Sequence, residues 1–265
     1  MALYKSESHL TPTTKLLTNL LQLKTESPSK TPVVLVTTGS MNPIHKQHIN
    51  NFEIAKRELE SRLSQVKVIA GYLSPSQDCY VSVKLGRHAI PIDKRIEMCK
   101  LAVNESDWID VDLWETKSIE SNLGFVDYWE VLYRLSKFLN EHDEINCHIK
   151  VFYLCGSDHF MRTGISRTLL KHHGFVIIGR KKDDGQIKNI ENNLDRNFGE
   201  NVWKESVVVI NGENNNDISS TILRKKLINN FGGWEDLCDS KVAEYIKKNK
   251  ILTSKLNPSQ DEVEL

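Results

Sequence analysis

Val33-Val34-Leu35-Val36-Thr37-Thr38-Gly39-Ser40-Met41-Asn42-Pro43-Ile44-His45-Lys46-Gln47-His48 is the stretch that decides the fold. Four apolar residues, mostly β-branched, make a short buried strand. Thr37 to Ser40 make a glycine turn. Ile49, Phe52, Ala55, Leu59 and Leu63 then recur at three- and four-residue spacing, which is one buried face of a helix. A helix start after a strand suits a phosphate, because its first N–H groups lack intrahelical partners and carry partial positive charge. Gly39 lets the backbone approach a ligand closely. His45 and His48, three residues apart, share a face of the helix start and can donate to phosphoryl oxygens. The segment is neither a Walker A loop nor HExxH, and no carboxylate stands beside the histidines at metal-ligand spacing. Taken alone, it reads equally as a helix start with two surface histidines.

Strand and helix alternate outward from this point. Val66–Ala70 reads as a strand, residues 74–90 as loop, and 91–104 as a helix opened by Pro91. Residues 109–112 read as a short strand and 125–140 as a helix. Ile149–Cys155, Phe175–Ile178 and Val207–Ile210 are further apolar strands, with helices over about Ser219 to Asn230 and Ser240 to Lys248. Continuous apolar strands alternating with helices predict an α/β, Rossmann-like, doubly wound parallel sheet covered on both faces. Ligands in such sheets sit outside the carboxyl ends of the strands. The expected organisation is an extension over 1–31, with a short amphipathic helix over Leu16–Leu23, a nucleotide-binding domain over 32–252, and an acidic tail over 253–265.

Lysine plus arginine and aspartate plus glutamate each total 35 in 265 residues, so the formal net charge is zero. That balance argues against a nucleic-acid binder, and no apolar run is long enough for a membrane span. The five cysteines contain no CxxC pair, which fits reduced thiols in the cytoplasm or nucleus.

Two more segments carry chemistry. In Asn216-Asp217-Ile218-Ser219-Ser220-Thr221-Ile222-Leu223-Arg224, Asp217 or Ser219 can cap a helix, three hydroxyls surround its first N–H groups, and Arg224 reaches back toward the same end. This is a second anion site or an ordinary cap with a solvated arginine. In Gly156-Ser157-Asp158, the carboxylate can accept ribose hydroxyls or simply cap a helix.

Together these segments resemble the nicotinamide/nicotinate mononucleotide adenylyltransferases of the nucleotidyltransferase superfamily, eukaryotic type. Gly39 to His48 matches GxFxPxHxxH, and Ile218 to Arg224 matches ISSTxxR. Gly71-Tyr72-Leu73-Ser74-Pro75, Asp107 to Asp112 with Trp114-Glu115, and Leu154-Cys155-Gly156-Ser157-Asp158 follow the family's order and spacing from about residue 33 to 251. The resemblance implies that the mononucleotide's 5′-phosphate attacks the α-phosphorus of ATP, releasing pyrophosphate and forming NAD or its nicotinate analogue. It assigns His48, His45 and Arg224 to catalysis. Gly39, Ser40, Ser219, Ser220, Thr221 and Lys84 go to ATP and phosphate, and Asp158, Gly156 and Trp114 to the nucleotide. It implies Mg²⁺ carried by the ATP phosphates, no protein metal site, and the possibility of a homo-oligomer.

Three departures stand out. Met41 replaces the usual phenylalanine, and only Lys84 remains of a lysine cluster. The stretch after Asp158 is short and lacks the tryptophan that stacks on nicotinamide, leaving Phe125, Tyr128, Trp129 or Phe160 to replace it. The rival readings are a nucleotidyltransferase for another acceptor, phosphopantetheine or an alcohol phosphate, and a non-catalytic nucleotide-binding regulator.

Overall fold

The computed structural model of the protein describes residues 8–117, 126–179, 184–199, 202–212 and 218–252. Its framework is a six-stranded parallel sheet in the order β3-β2-β1-β4-β5-β6. The strands are β1 (Thr31–Gly39), β2 (Val66–Pro75), β3 (Ile109–Val111), β4 (Lys150–Gly156), β5 (Gly174–Ile178) and β6 (Val207–Ile210). β1 is central because its run is apolar on both faces. Val33 and Leu35 point into one core, and Val34 and Val36 into the other.

The first core is closed by α2 (Lys46–Arg62), α4 (Ile92–Ala102), α10 (Ser220–Ile228) and α11 (Ser240–Lys248), through Phe52, Leu59, Met98, Leu223 and Ile246. The opposite core is closed by α1 (Thr14–Glu26), α6 (Tyr128–Asn140) and α9 (Asp184–Phe198), through Leu16, Leu20, Leu135, Phe138, Ile190 and Leu194. The helix expected over Leu16–Leu23 is therefore longer and seats its leucine stripe on the sheet. Lys15 Nζ donates to the Ile109 carbonyl at 2.7 Å, and the Tyr72 hydroxyl to the Pro12 carbonyl at 2.6 Å.

The structure corrects the reading of 74–90 as loop. β2 runs on to Pro75, and α3 (Asp78–Leu85) follows it. α3 buries only Val81, so it left no apolar periodicity to read. Four further helices went unread: α5 (Trp114–Lys117), α7 (Ser157–Thr163), α8 (Arg167–His172) and α9. The strand order reverses between β1 and β4, and that switch point positions the site.

Candidate functional site

A cavity of about 550 Å³ opens at the carboxyl ends of β1, β2 and β4. β1 supplies Thr38 and Gly39, with Ser40 just past its end, and β4 supplies Tyr153 and Gly156. The crevice outside the strand ends at a switch point is where an open parallel sheet binds its ligand.

One side of the cavity is the 39–48 loop, and it is fixed from several directions. Arg95, on α4, has no exposed surface. Its guanidinium donates to the Ser40 carbonyl at 2.8 Å, the Ile90 carbonyl at 2.9 Å and the Asp78 carboxylate at 2.8 Å. Buried Asn42 donates to the His88 carbonyl and accepts from the Ile90 N–H. From the far end of the chain, Ser220 donates to the Pro43 carbonyl at 2.8 Å, and Arg224 Nη1 to the Asn42 carbonyl at 2.7 Å. Met41 sits at φ 44°, a left-handed conformation that costs an L-residue energy and persists because neighbours hold it.

His45 is not in the helix but caps it, with φ −142° and ψ 166°. Its ring lies on that of His48, with centroids 3.8 Å apart. His48 Nδ1 accepts from the His45 backbone N–H at 3.2 Å. An imidazole whose Nδ1 is an acceptor carries its proton on Nε2. Burial drives the His48 pKa down to about 4, so the free ring is neutral and offers one N–H. His48 lines the cavity, whereas His45 faces a smaller pocket beside Lys46 and Asp239.

The opposite side is aromatic. Tyr128 opens α6 behind its N-cap Asp127, its ring 4.9 Å from that of Tyr153 and 5.2 Å from His159. The Tyr153 hydroxyl bridges Thr38 Oγ1 at 2.8 Å and His159 Nε2 at 3.2 Å. Glu115, buried at 4% exposure, also reaches the wall, and Ser74 Oγ donates to its carboxyl at 3.1 Å. Burial, reinforced by nearby Asp112, holds this carboxyl up at about 8, although the Ser74 and Ser76 hydroxyls and Arg95 pull it down.

Gly39, Ser40, His48, Lys84 and Gly156 thus lie together on the cavity wall. Ser219 caps α10 by accepting from the Ile222 N–H, and Thr221 Oγ1 accepts from Arg224. Arg224 is therefore brought to the same loop as His48, with its guanidinium bonded to protein acceptors. Asp158 is exposed in the first turn of α7. Trp114 is not on the wall: it is 3% exposed in the core beneath α6, with the Arg134 guanidinium 5.3 Å from its ring. Of the four stacking candidates, Tyr128 lines the cavity, Phe160 is in the core, Trp129 faces solvent, and Phe125 lies outside the described residues, as does Asp217. Sequence reasoning missed Arg95, Glu115, Tyr153 and His159. Glu115 stood in the quoted Trp114-Glu115 pair, and Tyr153 and His159 flank the quoted Leu154–Asp158 segment, whereas Arg95 carried no signal.

The cytidylyltransferase-like family matches residues 36–226. A nicotinamide/nicotinic acid mononucleotide adenylyltransferase of Arabidopsis thaliana is 32% identical over 84% of this chain and 91% of its own length. The enzyme named nicotinamide/nicotinic acid mononucleotide adenylyltransferase 1 of Bos taurus is 27% identical, covering 86% and 92%. Among solved structures, the Plasmodium falciparum nicotinic acid mononucleotide adenylyltransferase complexed with NaAD aligns with TM-score 0.53 at 16% identity, over 83% of this chain and 97% of that one. At that identity the likeness concerns the fold.

Proposed function

The chain belongs to the cytidylyltransferase-like family and, within it, to the nicotinamide/nicotinic acid mononucleotide adenylyltransferases, and from that premise we propose how its own residues make NAD and its nicotinate analogue. The carrying observation is the two-sided cavity, with anion-ready donors along the 39–48 loop and aromatic rings on Tyr128 and Tyr153 opposite. ATP lies with its phosphates against His48 and the start of α10. The mononucleotide lies with its pyridine ring against Tyr128, so the two substrates meet at Gly39 and Ser40.

The reaction needs no covalent enzyme intermediate. The mononucleotide phosphate attacks the α-phosphorus in line with the departing pyrophosphate, and the protein contributes positioning and charge stabilisation. His48 offers a fixed Nε2–H to the phosphoryl oxygens that gain charge. Arriving phosphate raises the affinity of that ring for a second proton, since a nearby anion favours the charged form. Lys84, on the rim, adds a mobile cation. Arg224 holds the loop with one donor, to the Asn42 carbonyl, and Thr221 with another, and turns its remaining N–H groups to the triphosphate. Asp158 and the Gly156 backbone serve the ribose.

Mg²⁺ fits as a passenger on the triphosphate. Mg²⁺ commonly keeps its waters and binds through phosphate oxygens rather than through a cage of protein side chains. When bound there, it neutralises charge on the leaving pyrophosphate. No helix among the described residues is long and apolar enough to cross a membrane.

Pyrophosphate release measured with ATP and each of nicotinamide mononucleotide, nicotinate mononucleotide and phosphopantetheine tests this reading. Turnover with either pyridine mononucleotide is expected. Turnover with phosphopantetheine alone, or with none of the three, refutes it.

A further inference from the structure

The cavity wall carries a carboxyl for which phosphoryl chemistry has no use. Glu115 lies on the short helix α5 and lines the same cavity as Tyr128 and Tyr153, near enough to Tyr153 to act on its phenol electrostatically. It is buried and lines the cavity, and the Ser74 and Ser76 hydroxyls hydrogen-bond its carboxyl. In the binding mode proposed above, the acceptor's pyridine ring lies against Tyr128, and its ring substituent is a carboxamide in one substrate and a carboxylate in the other.

We propose that Glu115 reads this substituent, accepting the carboxamide in either of its own charge states and the carboxylate only while Glu115 carries its proton. The inference rests on the reading that a pyridine mononucleotide occupies the cavity. A protonated carboxyl donates O–H to an amide oxygen or to a carboxylate, whereas an ionised one only accepts. Ionised Glu115 still accepts from the carboxamide NH₂, but it faces the carboxylate of the other acceptor as a like charge in a low-dielectric pocket.

The groups around Glu115 leave a clear window. From β2 and the residue just past its end, Ser74 and Ser76 face it; from α4, Arg95; and from the segment after β3, Asp112, which is paired with Arg134 at 3.4 Å. From β4, Tyr153 is pushed well above the usual phenol range by burial. Farther round the cavity are Tyr128 and Asp127 on α6 and its cap, His159 and Arg162 on α7, Tyr80 and Lys84 on α3, and His48 on α2. Burial raises Tyr128 and lowers both His159 and His48. Glu115 itself is held near 8, inside the range where an enzyme assay is practical.

The test is the ratio of kcat/KM for the nicotinamide mononucleotide to kcat/KM for the nicotinate mononucleotide, measured from pH 6.5 to 9. Ionisation of ATP and of the shared 5′-phosphate cancels in this ratio. The wild-type ratio is expected to rise about tenfold between pH 7 and pH 9, the factor by which the protonated fraction of a group titrating near 8 falls. Glu115→Gln, uncharged throughout, should give a flat ratio. Ser74→Ala removes a hydroxyl that favours the charged form, so its rise should move to higher pH. A flat wild-type ratio in an active enzyme overturns the proposal. So does a Gln variant that keeps the wild-type slope, which would assign the titration to Asp112. Absence of turnover with both mononucleotides instead refutes the function on which the proposal stands.

Discussion

Arg95→Met removes the guanidinium beneath the 39–48 loop while keeping most of the apolar stem that fills its slot. Arg95 is 0% exposed and donates three hydrogen bonds, at 2.8 to 2.9 Å. Two acceptors, the Ser40 and Ile90 carbonyls, lose a charged donor inside the protein. The third, Asp78, has 44% side-chain exposure and rehydrates, so it contributes least. Hydrogen bonds to charged groups contribute roughly 1.5–3 kcal/mol each. Two such bonds, with a discounted third, give a loss of about 3–5 kcal/mol, the range expected for breaking a buried ion pair. For a chain of this size that corresponds to roughly 6–10 °C in Tm. Urea denaturation and a thermal melt measure it. Activity should suffer even where the variant is folded. The Ser40 carbonyl is released in the loop that leads into the His48 helix, and a misplacement of about 1 Å can cost ~100-fold in rate. A melting shift under about 3 °C together with unchanged kcat would refute the argument that Arg95 holds this loop.

His48→Ala should lower kcat by about 10²–10³ with a smaller effect on the KM for ATP, because it removes one preorganised donor; a raised KM with unchanged kcat would mean ground-state binding instead. Arg224→Ala should weaken ATP binding as well as kcat, since it releases the Asn42 carbonyl along with the triphosphate contact; isothermal titration with a non-hydrolysable ATP analogue reads this directly. Tyr128→Leu should raise KM for the mononucleotide several-fold and leave that for ATP nearly unchanged, while Trp129→Leu, at 46% exposure, should do neither in the same steady-state assay. Burial lowers His48 and His173 to about 4 in the folded protein, against 6.5 in the unfolded chain. The unfolded state therefore binds more protons between those values, so Tm should fall as pH drops from 6.5 toward 4, and His173→Gln should flatten that slope in a pH series of melts.

The central strand and the two helix starts were legible because each is a local signal. An apolar β-branched run, a glycine turn and a hydroxyl cap need no knowledge of the rest of the chain. What stayed hidden depends on long-range placement. Arg95 stands in an amphipathic helix, where an arginine ordinarily reads as solvated, and only the approach of Ser40, 55 positions away, makes it a core residue. Trp114 and Glu115 are neighbours after a short strand, and local reading sends the aromatic ring to the ligand. The structure does the reverse: Trp114 packs beneath α6 and Glu115 reaches the cavity, because the short helix α5 turns the larger apolar surface inward. Arg224 was legible as the arginine one turn into a hydroxyl-capped helix, but its grip on the Asn42 carbonyl was not. Tyr128 emerged from four sequence candidates only once Asp127 had fixed where α6 begins.

The strand order β3-β2-β1-β4-β5-β6 has a consequence for a chain made from its N-terminus. The segment through Val111 forms one half of the sheet with neighbouring partners, and α1 is available to cover it. The other edge of β1 pairs from Val33 to Val36 with Lys150 to Tyr153, residues synthesised more than a hundred positions later. Throughout that interval the nascent protein displays the unpaired hydrogen-bonding edge of its most apolar strand, which is the kind of edge on which chains join one another. Ribosome pausing before β4 emerges should therefore increase aggregation of this protein, and pausing after it should not.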